Sequence, residues 1–248
     1  MSAIYILWLR QLKRYFRLKS RILALLGQPV LILITLDFGV GPLYRRAGAG
    51  NYLQYLTPGI IAMAILFPAV NSGVGIIWDR QFGFLKETLV APASRFQIVL
   101  GRTLGCATTA FLQGLIVLTI CLFAGFQMEN ILLLPAALGF MFLIALLGGS
   151  IGTVIGSLLD DPQGYQLIMN YFVTPLFIFS NALFPVDGLP VPMKLVVRLN
   201  PLGFGIDGLR VALTDTFLFS LAIDFMIIGG VAALLLGLGS YLFARMQL

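Results

Sequence analysis

Six apolar stretches recur along this 248-residue chain, at about 22–42, 56–78, 101–125, 131–157, 167–185 and 219–243. They constrain the fold more than any other feature. The hydrocarbon core of a bilayer takes roughly 20 residues of helix, and backbone inside it must satisfy its own hydrogen bonds. The spacing therefore predicts an all-α polytopic membrane protein with six transmembrane helices. Pro29, Pro58, Pro68 and Pro175 fall inside these stretches; membrane helices tolerate them where neighbours satisfy the freed carbonyls. Charge agrees. Only 10% of residues are charged, against about 25% in soluble domains, which excludes an ordinary soluble fold and a disordered chain. It also argues against a nucleic-acid binder, despite the net charge of +6.

Residues 1–21 hold six of the sixteen basic residues and no acid. On a helical wheel Arg10, Lys13, Arg14, Arg17 and Arg21 share one side. Ile4, Tyr5, Trp8, Leu12, Tyr15 and Phe16 share the other. That segregation predicts an amphipathic helix lying on an anionic membrane surface, with the five basic residues as its membrane-surface set. The length of the basic stretch and the lack of a small-residue cleavage site argue against a cleaved signal. With the N-terminus in the cytoplasm, the inner segments carry eleven basic residues and the outer ones five. Both termini are then cytoplasmic.

Two loops exceed simple connections. The inner one covers 78–102. The outer one, 186–218, has Leu195, Leu199, Leu202, Ile206 and Leu209 at helical spacing but too few apolar residues for a span. It is expected to form one or two short re-entrant helices. Small residues recur every fourth position at Gly101 and Gly105, at Gly148, Gly152 and Gly156, and at Gly229, Ala233 and Gly237. Such stripes let helices approach closely.

Catalytic chemistry finds little support. The chain has no His, which removes His-based acid–base catalysis and most zinc sites. Gly148, Ser150 and Gly152 match GxSxG, but mid-helix and without a His partner. None of the four lysines follows a glycine, so there is no Walker loop for ATP. Cys106 and Cys121 are about 22 Å apart on one helix, too far for a disulfide. Only Asp37 and Asp224 fall within spans, both near outer ends. An ion-coupled carrier would be expected to bury charge at mid-membrane.

The inner loop is the most informative segment. Phe82, Phe84, Leu85 and Leu89 alternate with Asp79, Arg80, Lys86 and Glu87, and Pro92 stops the pattern. A helix from about 80 to 91 would suit a groove on a cytosolic partner; a membrane-surface loop is the other reading.

The string from Asp79 to Arg95, DRQFGFLKETLVAPASR, resembles the inner-loop signature of type-2 ABC exporter permeases, the ABC-2 family, in its daunorubicin-resistance-like form. Phe184-Pro185, Leu189-Pro190, Asn200-Pro201, Asp207 and Leu209-Arg210 resemble that family's stretch before the last span. The resemblance covers essentially the whole chain, as a single transmembrane domain over 1–248. It implies a non-catalytic permease subunit in the cell (inner) membrane, paired with a second permease, as a homodimer, and docked on two copies of a separate ATPase. ATP and Mg would then sit on the partner, with no cofactor or metal on this chain. Coupling falls to Phe82, Gly83, Phe84, Leu85, Lys86, Glu87, Thr88, Leu89 and Pro92, within an inner coupling loop at 79–98. The expected cargo is a hydrophobic or amphipathic drug or lipid, exported by alternating access; an ion-coupled secondary transporter is the alternative. Asn170, Phe172, Thr174, Phe177 and Asn181 on the fifth span are candidate cavity residues, with lipid-facing or packing roles equally open.

Overall fold

A computed structural model describes residues 3–17, 19–46, 48, 50–84, 94–184, 190–214 and 220–246. All regular structure among them is helical. In order, the helices are α1 (Ala3–Arg17), α2 (Lys19–Arg46), α3 (Tyr52–Asn71), α4 (Val74–Gln81), α5 (Arg95–Phe123), α6 (Leu134–Leu158), α7 (Pro162–Ile168), α8 (Thr174–Ile178), α9 (Val191–Leu199), α10 (Pro201–Thr214) and α11 (Leu221–Arg245). A 3₁₀ turn, Ile131–Leu133, precedes α6, and a π-helical turn, Met169–Val173, joins α7 to α8.

Among the described residues, five helical stretches are long and apolar enough to cross a membrane: Ile22–Arg46, Tyr52–Gln81, Arg95–Phe123, Ile131–Leu158 and Leu221–Arg245. At 1.5 Å per residue even the shortest reaches about 37 Å, beyond the ~30 Å hydrocarbon core. Six spans were expected. The fifth expected one, 167–185, is instead a broken helix over 162–178, whose rise is only about 25 Å. Pro175 explains the break. It has no N–H for the carbonyl four residues back, and its ring would crowd that carbonyl. The π turn inserts a residue there, and Thr174 Oγ1 donates to the Met169 carbonyl at 3.2 Å.

α3 and α6 form the centre. α3 buries fifteen of its twenty residues, as a helix apolar all round should. α5, α6 and α10 pack around it, α11 covers α6 and α10, and α2 lies along α3 with most of its surface exposed. The glycine stripe of α6 is the closest seam. A Cβ on Gly152 would stand 2.3 Å from the Val70 carbonyl oxygen, and one on Gly156 would stand 2.5 Å from the Gly73 carbonyl oxygen. The stripe on α5 serves α1. Cβ atoms on Gly101 and Gly105 would meet Ile4 and Gln11 at 2.9 and 2.8 Å. Gly229 and Gly237 on α11, by contrast, have almost nothing near them.

The segment expected as the second span, 56–78, divides in two. α3 ends at Asn71, Ser72 Oγ donates to the Ala69 carbonyl at 2.6 Å, and α4 starts after Gly73. A Cβ on Gly73 would lie 2.0 Å from the Gly152 carbonyl oxygen, so only glycine fits this crossing. α5 starts at Arg95, six residues before the expected edge. Ser94 and Gln97 form a reciprocal capping box there, two donors satisfied at once.

Candidate functional site

The C-terminal end of α4 is built from the first residues of the expected coupling loop. Helix α4 carries Asp79, Arg80 and Gln81 and ends at Phe82, whose ring stacks on Trp78 at 5.7 Å. Gly83 follows with φ +77°, the left-handed conformation that closes helices and favours glycine. Its N–H donates to the Arg80 carbonyl at 3.1 Å. Phe82 and Phe84 are exposed. The rings of this segment therefore turn outward from the bundle. Leu85, Lys86, Glu87, Thr88, Leu89 and Pro92 lie outside the described residues. The helix expected from about 80 is displaced at its start: residues 80 and 81 end α4.

Each charge on α4 is tied to a different neighbour. Asp79 accepts from Arg102 Nη1 of α5 at 2.6 Å, and Arg10 of α1 approaches its other oxygen at 3.9 Å. Arg80 pairs with Asp160 in the α6–α7 turn and donates to the Leu159 carbonyl at 3.3 Å. Gln81 Nε2 reaches the Asp160 carbonyl at 3.2 Å. One turn into α7, the buried Tyr165 hydroxyl donates to the Val70 carbonyl at the α3–α4 junction. Helix α4 is thereby fastened to α1, α5 and the broken helix together.

The broken helix forms one wall of a cavity of about 430 Å³, with α2 and α3 as the others. Asn170, Thr174 and Phe177 line it; Gln28, Asn71 and Gln166 add three more carboxamide or amide groups, with Met63 and Phe67 as apolar surface. Among the described residues no charged side chain lines it. That volume and mixture suit a small ligand. Two candidates do not line this cavity. Phe172 sits on the π turn with 57% of its surface exposed. Asn181 belongs to a buried cluster at the far end.

In that cluster Asn181 adopts φ +61°, tolerated by asparagine. Its carbonyl accepts from Arg210 Nη2 at 2.7 Å and from the Tyr55 hydroxyl at 3.1 Å. The Arg210 guanidinium lies 4.2 Å from the centre of the Tyr55 ring, a cation–π contact. With the Asn181 amide turned so that its oxygen faces the guanidinium, it accepts from Arg210 Nη1 at 2.9 Å and donates to the Phe184 carbonyl at 2.9 Å. Asn200 ties the α9–α10 corner back to α8, donating to the Leu176 and Phe179 carbonyls at 2.6 and 3.0 Å and capping Leu202 N–H. These polar residues are joints between α3, α8, α9 and α10.

Helix α1 also departs from expectation in its packing. Trp8 Nε1 donates to Thr108 Oγ1 at 3.0 Å and the Tyr15 hydroxyl to Gln113 Oε1 at 2.8 Å, both on α5. Burial pushes the Tyr15 phenol above its usual range. Part of the aromatic face therefore docks on protein, while Tyr5 and Phe16 remain exposed. Lys13, Arg14 and Arg17 are exposed; the Arg21 side chain is outside the described part. Spacing could not have revealed the α1–α5 seam, because Gly101 and Gly105 carry no mark of their partner.

Comparison with known proteins adds identity to geometry. The family described as ABC-2 type transporter matches residues 2–214. The chain is 33% identical to transport permease ycf38 of Cyanophora paradoxa over 211 residues, covering 80% of this chain and 71% of that one. It is 28% identical over 197 residues to nodulation protein J of Rhizobium leguminosarum bv. trifolii, covering 77% and 74%. It is 24% identical over 215 residues to the inner membrane transport permease YadH of Escherichia coli K12, covering 84% and 81%.

Proposed function

The chain belongs to the ABC-2 type transporter family, and we propose that it is the membrane permease of an ATP-driven exporter, powered by a separate ATPase docked on its inner loop. Members of this family generally work with an ABC ATPase subunit. In this reading two permeases pair, as a homodimer, over two ATPase copies, with both termini cytoplasmic. α1 lies at the inner membrane surface, and α9 and α10 dip into the outer leaflet. The cargo is a hydrophobic or amphipathic molecule, moved outward by alternating access.

One observation carries the coupling part. Helix α4, which leads into the exposed Phe82 and Phe84, is bound through Arg80 and Gln81 to Asp160 at the foot of the broken helix. A push on the inner loop then travels through α4 to α7 and reaches the π turn, where Asn170 lines the cavity. A π turn inside a helix is a common place for functional bending. Such a link is a two-state element that nucleotide-driven closure of a motor can bias. The docking of α1 on α5 makes those helices one moving unit.

Purification in mild detergent followed by mass spectrometry of co-purifying proteins tests this. A stoichiometric ATPase, lost on changing Phe84 and Glu87 to Arg while the permease still inserts, is the expected result. A permease that exports in native membranes with no ATPase bound sinks the reading. An ion-coupled carrier is the second reading. It draws on Asp224, fully buried, whose two carboxylate oxygens have no hydrogen-bond partner among the described residues. Export abolished by collapsing the ion gradient at constant ATP would favour it.

A further inference from the structure

A second cavity, of about 260 Å³, opens between α1, the start of α2, the α3–α4 junction and α5. Its wall is unlike that of the first. Arg14 and Arg102 line it together with Gln11, Tyr15, Ser72 and Trp78. Arg102 is seated by Asp79, with its Nη2 3.2 Å from where a Cβ on Gly75 would stand. Arg10 approaches the same Asp79, so two guanidiniums share one carboxylate. Among the described residues no carboxylate lies within ion-pair distance of Arg14. The cavity is therefore net positive, with donors but no excess acceptor charge.

Leu25, Pro68 and Asn71 line both cavities. The two spaces therefore adjoin at a neck formed by those three residues. One end is cationic and bounded by the basic helix α1; the other is apolar and uncharged, with amides and a threonine. That polarity matches a molecule with an anionic head and an apolar tail. A guanidinium favours phosphate or carboxylate oxygens, and an apolar cavity wall favours a chain removed from water.

We infer that the two cavities form one binding site for an anionic amphiphile taken from the cytoplasmic leaflet, with its head at Arg14 and Arg102 and its tail passing Leu25 into the cavity beside the broken helix. This deepens the permease reading by naming a chemical class of cargo, and rests on that reading for transport but not for binding. Binding itself needs no ATPase, so a failed ATPase capture and a failed ligand titration are separate results.

The test is native mass spectrometry of the full chain released from neutral detergent. The probes are hexadecyl phosphate, hexadecyl glucoside, butyl phosphate and inorganic phosphate. One retained equivalent of hexadecyl phosphate is expected, with the glucoside and the two tailless anions held far more weakly. Arg14→Gln removes one exposed cation and is expected to weaken hexadecyl phosphate about fivefold, from roughly one basic contact at a membrane surface. Leu25→Trp should narrow the neck and reduce hexadecyl phosphate to the level of butyl phosphate; Leu25→Phe serves if the larger ring impairs folding. Equal retention of the glucoside, or no loss in Arg14→Gln, overturns the anionic head. Inorganic phosphate competing as well as the long-chain probe, or no effect at Leu25 in a folded variant, overturns the tail and leaves a free-phosphate site.

Discussion

The seam between α3 and α6 makes a quantitative prediction for a single methyl group. Gly152→Ala would place a Cβ 2.3 Å from the Val70 carbonyl oxygen and about 3 Å from two more backbone atoms. That is more than an ångström short of ordinary contact. The obstruction is backbone, so no side chain can swing aside, and α6 must move away from α3. Overpacking of this kind costs about 1–3 kcal/mol. Alanine also gains up to about 1 kcal/mol over glycine in helix propensity. With the clash at the upper end, the net loss is about 2 kcal/mol. For a chain of this size that corresponds to a fall in Tm of about 4–8 °C. Gly230→Ala on α11 is the matched control, since a Cβ there meets nothing within 4 Å. It should leave Tm unchanged or raise it slightly. Thermal unfolding of the two variants in the same detergent, followed by intrinsic fluorescence, reads the difference. Equal melting of Gly152→Ala and Gly230→Ala would refute the claim that this seam is closed backbone to backbone.

Arg80→Glu and Asp160→Arg should each reduce transport-linked ATPase stimulation, and their combination should restore it. Stability should move little in all three, because exposed ion pairs contribute only about 0.2–1 kcal/mol. Trp8→Phe removes one hydrogen bond between α1 and α5, worth about 1 kcal/mol; a fall in Tm of about 2–4 °C and faster proteolysis within α1 are expected. Burial raises the Tyr15 phenol. Its contribution is therefore complete below the free phenol value and is lost only as pH rises through the higher folded value. Protease protection of α1 should be flat from pH 6 to 9, and a loss inside that window contradicts the assignment. Arg210→Met should cost about 2–3 kcal/mol by leaving the Asn181 carbonyl short of its charged donor. Arg210→Lys should not recover this fully, since an ammonium lacks the planar fork that also stacks on Tyr55.

Periodicity and length located the apolar helices, because burial in lipid imposes both on the sequence directly. The apolar stretch formed by the 3₁₀ turn and α6, for example, runs from Ile131 to Leu158 against an expected 131–157. Break points were harder to read. Pro175 was visible, yet its consequence depended on whether neighbours would restore a straight helix, and the outcome was a π turn with Thr174 bonded back to Met169. The division at Gly73 had no local signal stronger than that of other glycines. It is dictated by Gly152 on a helix some eighty residues away. At the site, Asn170, Thr174 and Phe177 line one cavity, while Gln28, Asn71 and Gln166 on its walls went unnoticed. A lone amide in an apolar run looks like any tolerated polar residue, and only the meeting of three helices gives it company. The Arg80–Asp160 pair was equally invisible, since nothing in either residue's surroundings names its partner.

Trp8 and Thr108 are 100 positions apart in the chain and in contact in the structure. A polypeptide made from its N-terminus exposes the aromatic face of α1 long before α5 exists to receive it. During that interval Trp8 and Tyr15 lack the partners on α5 that they have in the finished fold. The bonds to Thr108 and Gln113 can form only once α5 has been made. The first helix thus acts in biogenesis as a waiting component, and the contact between Gly101, Gly105 and its backbone is the latch that ends the wait.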